Sequence, residues 1–190
     1  MTKHNQRKAM ERGMNEAVMI DLETFDTSPT AAIASIGAVR FEPHGKFVSE
    51  MLSINVKLAG QQHFGRTINA DTVLWWMAQS DAARGALIAG QSIARDLPGA
   101  LYSLAEFIGE SEVWCNGASF DFPILASAYR SIGCETPWKY WQERDLRTLK
   151  GLNKDLRIER TGTHHKAVED ALHQARLVQH ILNSNPVKDA

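Results

Sequence analysis

Cysteine is scarce in this chain. The 190 residues hold two, Cys115 and Cys134. Their spacing fits neither a disulfide framework nor a set of metal ligands. Cys115 follows Val113 and Trp114 in an apolar run and is expected as a buried free thiol. An excess of either charge is also lacking. There are 21 Lys and Arg against 22 Asp and Glu, a formal net charge of −1. A protein that coats nucleic acid carries a basic footprint instead. The balance still admits an enzyme that handles one nucleic-acid end, because bound metal ions can supply positive charge. No apolar run reaches the roughly 18 residues of a membrane span, and the N-terminus has no apolar signal core. The expectation is a cytoplasmic protein with no membrane partner.

What is present is ordinary for a globular protein: 44% hydrophobic and 23% charged residues. The length fits one domain with short appendages and permits a sizeable core. The expected division is a polar arm over 1–16, a domain over 17–183 and a polar tail over 184–190. The arm reads as a short helix or a frayed segment.

The most informative stretch is Ala17–Phe25, AVMIDLETF. A short apolar run ends in two carboxylates two residues apart, Asp21 and Glu23. On a strand, residues i and i+2 share a face. Two carboxylates projecting together from a buried strand repel and lose solvation unless positive charge sits between them. Hard oxygen ligands suit Mg²⁺ or Mn²⁺. A plainer role is also open, with one carboxylate capping a loop and the other in water.

Periodicity orders the rest. Strands are expected over Ala17–Glu23, Ala32–Phe41 and Phe47–Val56, joined by turn-forming residues at 25–30 and 42–45 as an antiparallel meander. Residues 57–68 read as irregular. Helices are expected over Ala70–Gln79, capped by Asn69 or Asp71, over Asp81–Ile88, and over Leu97–Ile108. A short buried strand at Val113–Cys115 precedes a helix over Phe120–Ile132, with Pro123 in its first turn. Trp138–Leu149 fits a strand or a helix, and Lys150–Gly162 a basic connection. Val168, Leu172, Ala175, Val178 and Leu182 mark a closing amphipathic helix. The order predicts an α/β fold, a mixed sheet covered by helices.

Three further stretches bear on the carboxylate pair. Asp121 follows a strand and opens a helix, where its charge also suits the helix dipole. His165 and Asp170 are five apart, which inside one helix separates them by roughly 140°. They can face one cleft only if the helix starts near Lys166 and His165 lies in the loop before it. Trp75 and Trp76 lie about 100° apart on a helix, so one fits the core and the other a cleft, although both can also pack on the sheet.

DLET, SFDFPIL and HHKAVEDA, in that order, resemble the three motifs of the DEDDh 3′→5′ exonucleases of the ribonuclease H-like superfamily. LWWMAQSDAAR and WKYWQERDLRTL resemble the phage exonuclease A type (DexA-like), its bacterial and prophage relatives, and more distantly a mycobacterial exoribonuclease. The resemblance runs from Ala17 to about Leu182. It implies a ribonuclease H-like sheet, three meandering strands followed by parallel ones. It implies Asp21, Glu23, Asp121 and Asp170 as ligands of two divalent cations, Mg²⁺ or Mn²⁺, with His165 as general base. His164 lacks the spacing. Many family members carry Asn where this chain has Gly117, with Asn116 one residue away. Asp145, in the RDLRT stretch, reads as structural or as a support behind the ligands.

The chemistry implied is phosphodiester hydrolysis at the 3′ end of single-stranded DNA or RNA, releasing 5′-mononucleotides. Two metal ions about 3.5–4 Å apart can activate water and stabilise the leaving oxygen. An imidazole with an ordinary pKa near 6.5 suits the base. Substrate contacts are expected from Thr24, Phe120 and Trp75 or Trp76, the tryptophans by base stacking. DNA is the favoured substrate, a homodimer the expected assembly. Between Lys139 and Lys166 there are eight Lys and Arg against four Asp and Glu. That stretch fits a phosphate track or a solvated surface. Two rival functions are a non-cleaving module that binds nucleic-acid ends and a phosphoesterase acting on nucleotides or short oligonucleotides.

Overall fold

The computed structural model of the chain describes residues 16–160 and 165–184. The expectations for the arm before Glu16, for His164 and for the tail after Ser184 lie outside the described residues.

The first strand sits at the centre of a five-stranded sheet. Its order is β3-β2-β1-β4-β5, with β1 Ala17–Thr24, β2 Ile33–Phe41, β3 Val48–Asn55, β4 Glu112–Cys115 and β5 Glu143–Asp145. β1, β2 and β3 form the antiparallel meander. β4 joins β1 in parallel and β5 joins β4 in parallel. The helices are α1 Ala70–Met77, α2 Asp81–Gln91, α3 Leu97–Ile108, α4 Asp121–Ser131, α5 Leu146–Leu152 and α6 Ala167–Ser184.

Alternation along β1 decides what each face carries. Val18, Ile20 and Leu22 enter a core with residues of α3 and α4, including Leu101, Leu104, Ile124 and Leu125. Ala17 and Met19 enter a second core with Ala171, Ala175 and Val178 of α6 and Leu146 of α5. With period two, Asp21 and Glu23 continue the face that α6 covers.

Gly37 fixes how closely α6 approaches. It pairs with Asp21 across β1 and β2. A Cβ at Gly37 would lie 2.1 Å from the carbonyl carbon of Ala167 and 2.3 Å from Val168 N. The first turn of α6 therefore rests on bare backbone directly beside Asp21.

Several boundaries differ from the sequence expectation. α2 runs on to Gln91, beyond the expected Ile88. Trp138–Leu149 is not one element: a 3₁₀ turn at Tyr140–Gln142, β5 and the start of α5 follow one another. α5 continues to Leu152, so the basic connection starts later. The stretch read as irregular holds a 3₁₀ turn at Gln61–Phe64. Gln61 is buried there, accepting from Ile33 N at 3.0 Å and donating to Ile33 O at 2.7 Å. Arg66 is also buried and donates to the carbonyls of Pro29, Ala31 and Ile124. Neither polar group sits on an apolar pattern, so periodicity could not reveal its burial.

Candidate active site

Four carboxylates meet where β1, the start of α4 and the start of α6 converge. Glu23, Asp121 and Asp170 are buried and Asp21 is half-buried. Burial pushes the Asp21 carboxyl well above its ordinary value, and the neighbouring Asp121 and Glu23 charges push it further. Glu23 is raised to about 7, again by burial first and Asp121 second. Burial likewise raises Asp121 to about 7, against hydrogen bonds from the Cys115 thiol and backbone N–H groups.

The local chain explains each position. β4 ends at Cys115, and Gly117 turns the chain with φ 138°. Arg147 lies over this glycine: a Cβ there would come within 2.9 Å of its Nη2. The same guanidinium donates to the Asn116 carbonyl at 2.9 Å. Arg147 thus covers the backbone of Gly117. Asp145 holds the turn from the other side, accepting from Ala118 N at 3.2 Å while capping α5 through Arg147 N and Thr148 N. Burial pushes the Asp145 carboxyl up, yet the Thr148 hydroxyl and these backbone donors hold it below its ordinary value.

α6 begins at Ala167, so His165 lies in the preceding loop. His165 has φ 61°, a left-handed conformation uncommon for a residue with a side chain. Its backbone N–H donates to Asp170 Oδ2 at 3.1 Å, which ties the loop to the helix. Glu23, His165 and Asp170 each offer a ligand atom, all within 4.8 Å of one another.

The two tryptophans divide as the helical angle requires. Trp76 is buried, and its indole N–H donates to the Thr24 carbonyl at 2.9 Å. Trp75 is 45% exposed and meets the His165 ring edge-on at 4.9 Å between centroids. Thr24 is buried, with its hydroxyl donating to the Asp26 carbonyl at 2.7 Å. Phe120 is half-buried and packs against the α3–α4 core.

Sequence patterns alone do not single out three partners of the carboxylates. Gln174 donates through Nε2 to Asp21 Oδ1 at 2.7 Å. It follows Asp170 by four residues, so helical spacing could have placed it on the same face. The Arg160 guanidinium pairs with Asp170 Oδ1 and lowers the pKa values of Asp21 and Glu23. No local pattern marks it among the other basic residues. The Cys115 thiol bonds Asp121, and burial pushes its own pKa up.

The donor set fits hard divalent cations. Four carboxylates supply oxygen ligands, and the buried Gln174 Oε1 has no hydrogen-bond partner among the described residues. Asp21 and Glu23 remain raised although Arg160 stands near, and Asp121 although Arg147 does. Such a cluster calls for more positive charge than these two guanidiniums provide.

Comparison with known proteins agrees in order and extent. Residues 16–182 match the 3′-5′ exoribonuclease Rv2179c-like domain. The chain belongs to this family of 3′→5′ exonucleases. It is 28% identical over 156 residues to the exodeoxyribonuclease of Enterobacteria phage T4, covering 68% of each chain. Among solved structures, E. coli exonuclease I in complex with a dT13 oligonucleotide matches with a TM-score of 0.67 at 13% identity, over 90% of this chain and 42% of that one. A zinc-bound form of exonuclease I with single-stranded DNA matches at a TM-score of 0.68 and 14% identity, covering 91% and 41%. The family member described here spans about two fifths of exonuclease I and shares its ribonuclease H-like fold. Among its described residues no helix is long and apolar enough to cross a membrane.

Proposed function

We propose that this family member removes 5′-mononucleotides from the 3′ ends of single strands in a divalent-cation-dependent reaction, with DNA preferred over RNA. The observation that carries the reading is the meeting of Asp21, Glu23, Asp121 and Asp170 beside His165. Two Mg²⁺ or Mn²⁺ ions, when bound, would activate the attacking water and stabilise the leaving oxygen. Asp21, Glu23, Asp121 and Asp170 would hold them. His165 takes the proton as the water oxygen joins phosphorus and the P–O3′ bond breaks. Asp170 supports it by fixing the His165 backbone, and Trp75 by bracing the imidazole edge. The exposed part of Trp75 is free to stack on the terminal base. The Glu23 carboxyl and the Thr24 backbone meet the terminal 3′-hydroxyl, and Phe120 backs the second motif from the core.

The preference for DNA rests on the phage exodeoxyribonuclease relative. The second reading, an exoribonuclease, is favoured by the family description, and the sugar 2′-hydroxyl is what separates the two. A homodimer is not needed for this reading, since all four carboxylates come from one chain. Matched DNA and RNA strands of one sequence test it, each labelled at the 5′ end, with Mg²⁺, Mn²⁺ or chelator, beside Asp21→Ala. Stepwise shortening from the 3′ end, faster on DNA and lost with chelator or in the variant, is expected. Faster loss of RNA moves the substrate to the second reading. Intact strands in every lane, with binding retained, return the chain to a non-cleaving module.

A further inference from the structure

The eight cations from Lys139 to Lys166 do not serve one purpose. Arg144 pairs with Glu112, and Lys166 with Glu169. Arg147 holds the Asn116 carbonyl, and Arg160 pairs with Asp170. Three others, Lys150, Lys154 and Arg157, are exposed, and none has a carboxylate within ion-pair range among the described residues. The fold brings these three to one cleft of about 530 Å³, lined also by Leu156 and by His173 and Leu177 of α6. Lys139 is exposed and does not line this cleft. Among the described residues no acidic side chain lines it.

The cleft lies close to the carboxylates. His173 is three residues beyond Asp170 on α6, a rise of about 4.5 Å along the axis. Arg157 is three residues before Arg160, within about 10 Å of extended chain. A linear polyanion entering the carboxylate site passes within reach of both. Lysines on flexible stems neutralise phosphates without fixing sequence or sugar.

We propose that this cleft is a phosphodiester-binding groove, holding the backbone of the single strand a few nucleotides upstream of the 3′ end. The proposal rests on the nuclease reading for its occupant, although the groove itself can be tested without catalysis. Its role is to retain long strands between cuts. A dinucleotide, too short to reach it, gains nothing from it.

The test is the full-length triple variant Lys150→Ala, Lys154→Ala, Arg157→Ala, all at exposed positions. Binding of a fluorescent 20-mer single strand is measured by anisotropy in chelator across a salt series. Dinucleotide hydrolysis with Mn²⁺ is measured in parallel. Loss of about three phosphate contacts lowers the slope of log affinity against log salt by about 2. Affinity for the 20-mer falls at least tenfold at low salt, and dinucleotide turnover stays within twofold. An unchanged slope and affinity overturns the groove. Equal losses on 20-mer and dinucleotide also overturn it, since they report a general defect. Should wild type cut neither substrate while the variant loses 20-mer binding, the groove stands and the nuclease reading falls. Lys154→Glu alone is the second variant, expected to weaken 20-mer binding more than Lys154→Ala. Equal binding by the two contradicts an electrostatic groove.

Discussion

Gln174 donates its side-chain amide to Asp21 Oδ1 at 2.7 Å, joining residues 153 positions apart. The bond orients the carboxylate at the centre of the cluster. Partners of this kind commonly contribute 10–100-fold to metal affinity or activity. Gln174→Ala should raise the Mn²⁺ concentration for half-maximal hydrolysis by about that factor, with little change in fold. A Mn²⁺ activation curve superimposable on that of wild type removes the orienting role.

Gly37 carries a second prediction. Its missing Cβ lets Ala167 and Val168 rest on β2 opposite Asp21. Gly37→Ala must displace the first turn of α6, and with it Asp170 and the His165 loop. Overpacking of this kind costs about 1–3 kcal/mol. A shift near 1 Å at a catalytic group can cost about 100-fold in rate. Activity should therefore fall far more than thermal stability. Full activity in a folded Gly37→Ala protein would show that α6 need not sit so close.

The raised carboxyls predict an unusual pH dependence for metal-free protein. Glu23 titrates at about 7 when folded, against an ordinary 4.5. Between these values the folded chain holds a proton that the unfolded chain has released. That contribution to stability is complete below about pH 4.5 and is lost as pH rises through 7. Its size is of order 3 kcal/mol for Glu23, and Asp121 adds in the same direction. In chelator, the melting temperature should fall by about 5–10 °C between pH 5 and pH 8. Saturating Mn²⁺ should abolish the fall, and Glu23→Gln should reduce it. A melting temperature that rises over this range in chelator refutes the assignment.

Much of the fold and of the site is legible in the amino-acid sequence. β1 and β2 declare themselves as apolar runs, β3 by partial alternation and α3 by helical spacing, and on a strand Asp21 and Glu23 share one face. Asn69 caps α1 as one of two expected candidates, accepting from Asp71 N at 2.8 Å. His165 and Asp170, five residues apart, can share a cleft only with His165 outside the helix, and the helix does begin at Ala167. What stays hidden depends on tertiary contact. Arg160 reaches Asp170 by a path that no local period encodes. Gln61 and Arg66 are polar residues buried by hydrogen bonds to distant carbonyls. β5 has three residues, too few for an alternating signature beside the helix-like run that follows. Gly37 is visible as a glycine within a strand, but its reason, the backbone of α6, is not.

The tryptophans yield opposite expectations. Trp76 is buried and bonded to Thr24, so Trp76→Ala should cost about 3–5 kcal/mol in stability. Trp75 is half-exposed against His165, so Trp75→Ala should keep the fold, raise KM for single strands and lower kcat. Chemical denaturation and steady-state kinetics on one oligonucleotide separate the two. If both variants keep the wild-type KM, base stacking on this pair is wrong.

The central claim is that Asp21, Glu23, Asp121 and Asp170 form one divalent-cation site. Calorimetric titration of Mn²⁺ into the full chain near pH 7, in buffers of different ionisation enthalpy, tests it most directly. Binding of about two ions with net proton release is expected, because burial holds Glu23 and Asp121 up at about 7 and both must lose their protons to coordinate. Asp21→Asn should abolish or greatly weaken that binding. Absence of binding by wild type, or identical binding and proton release by Asp21→Asn, would contradict it.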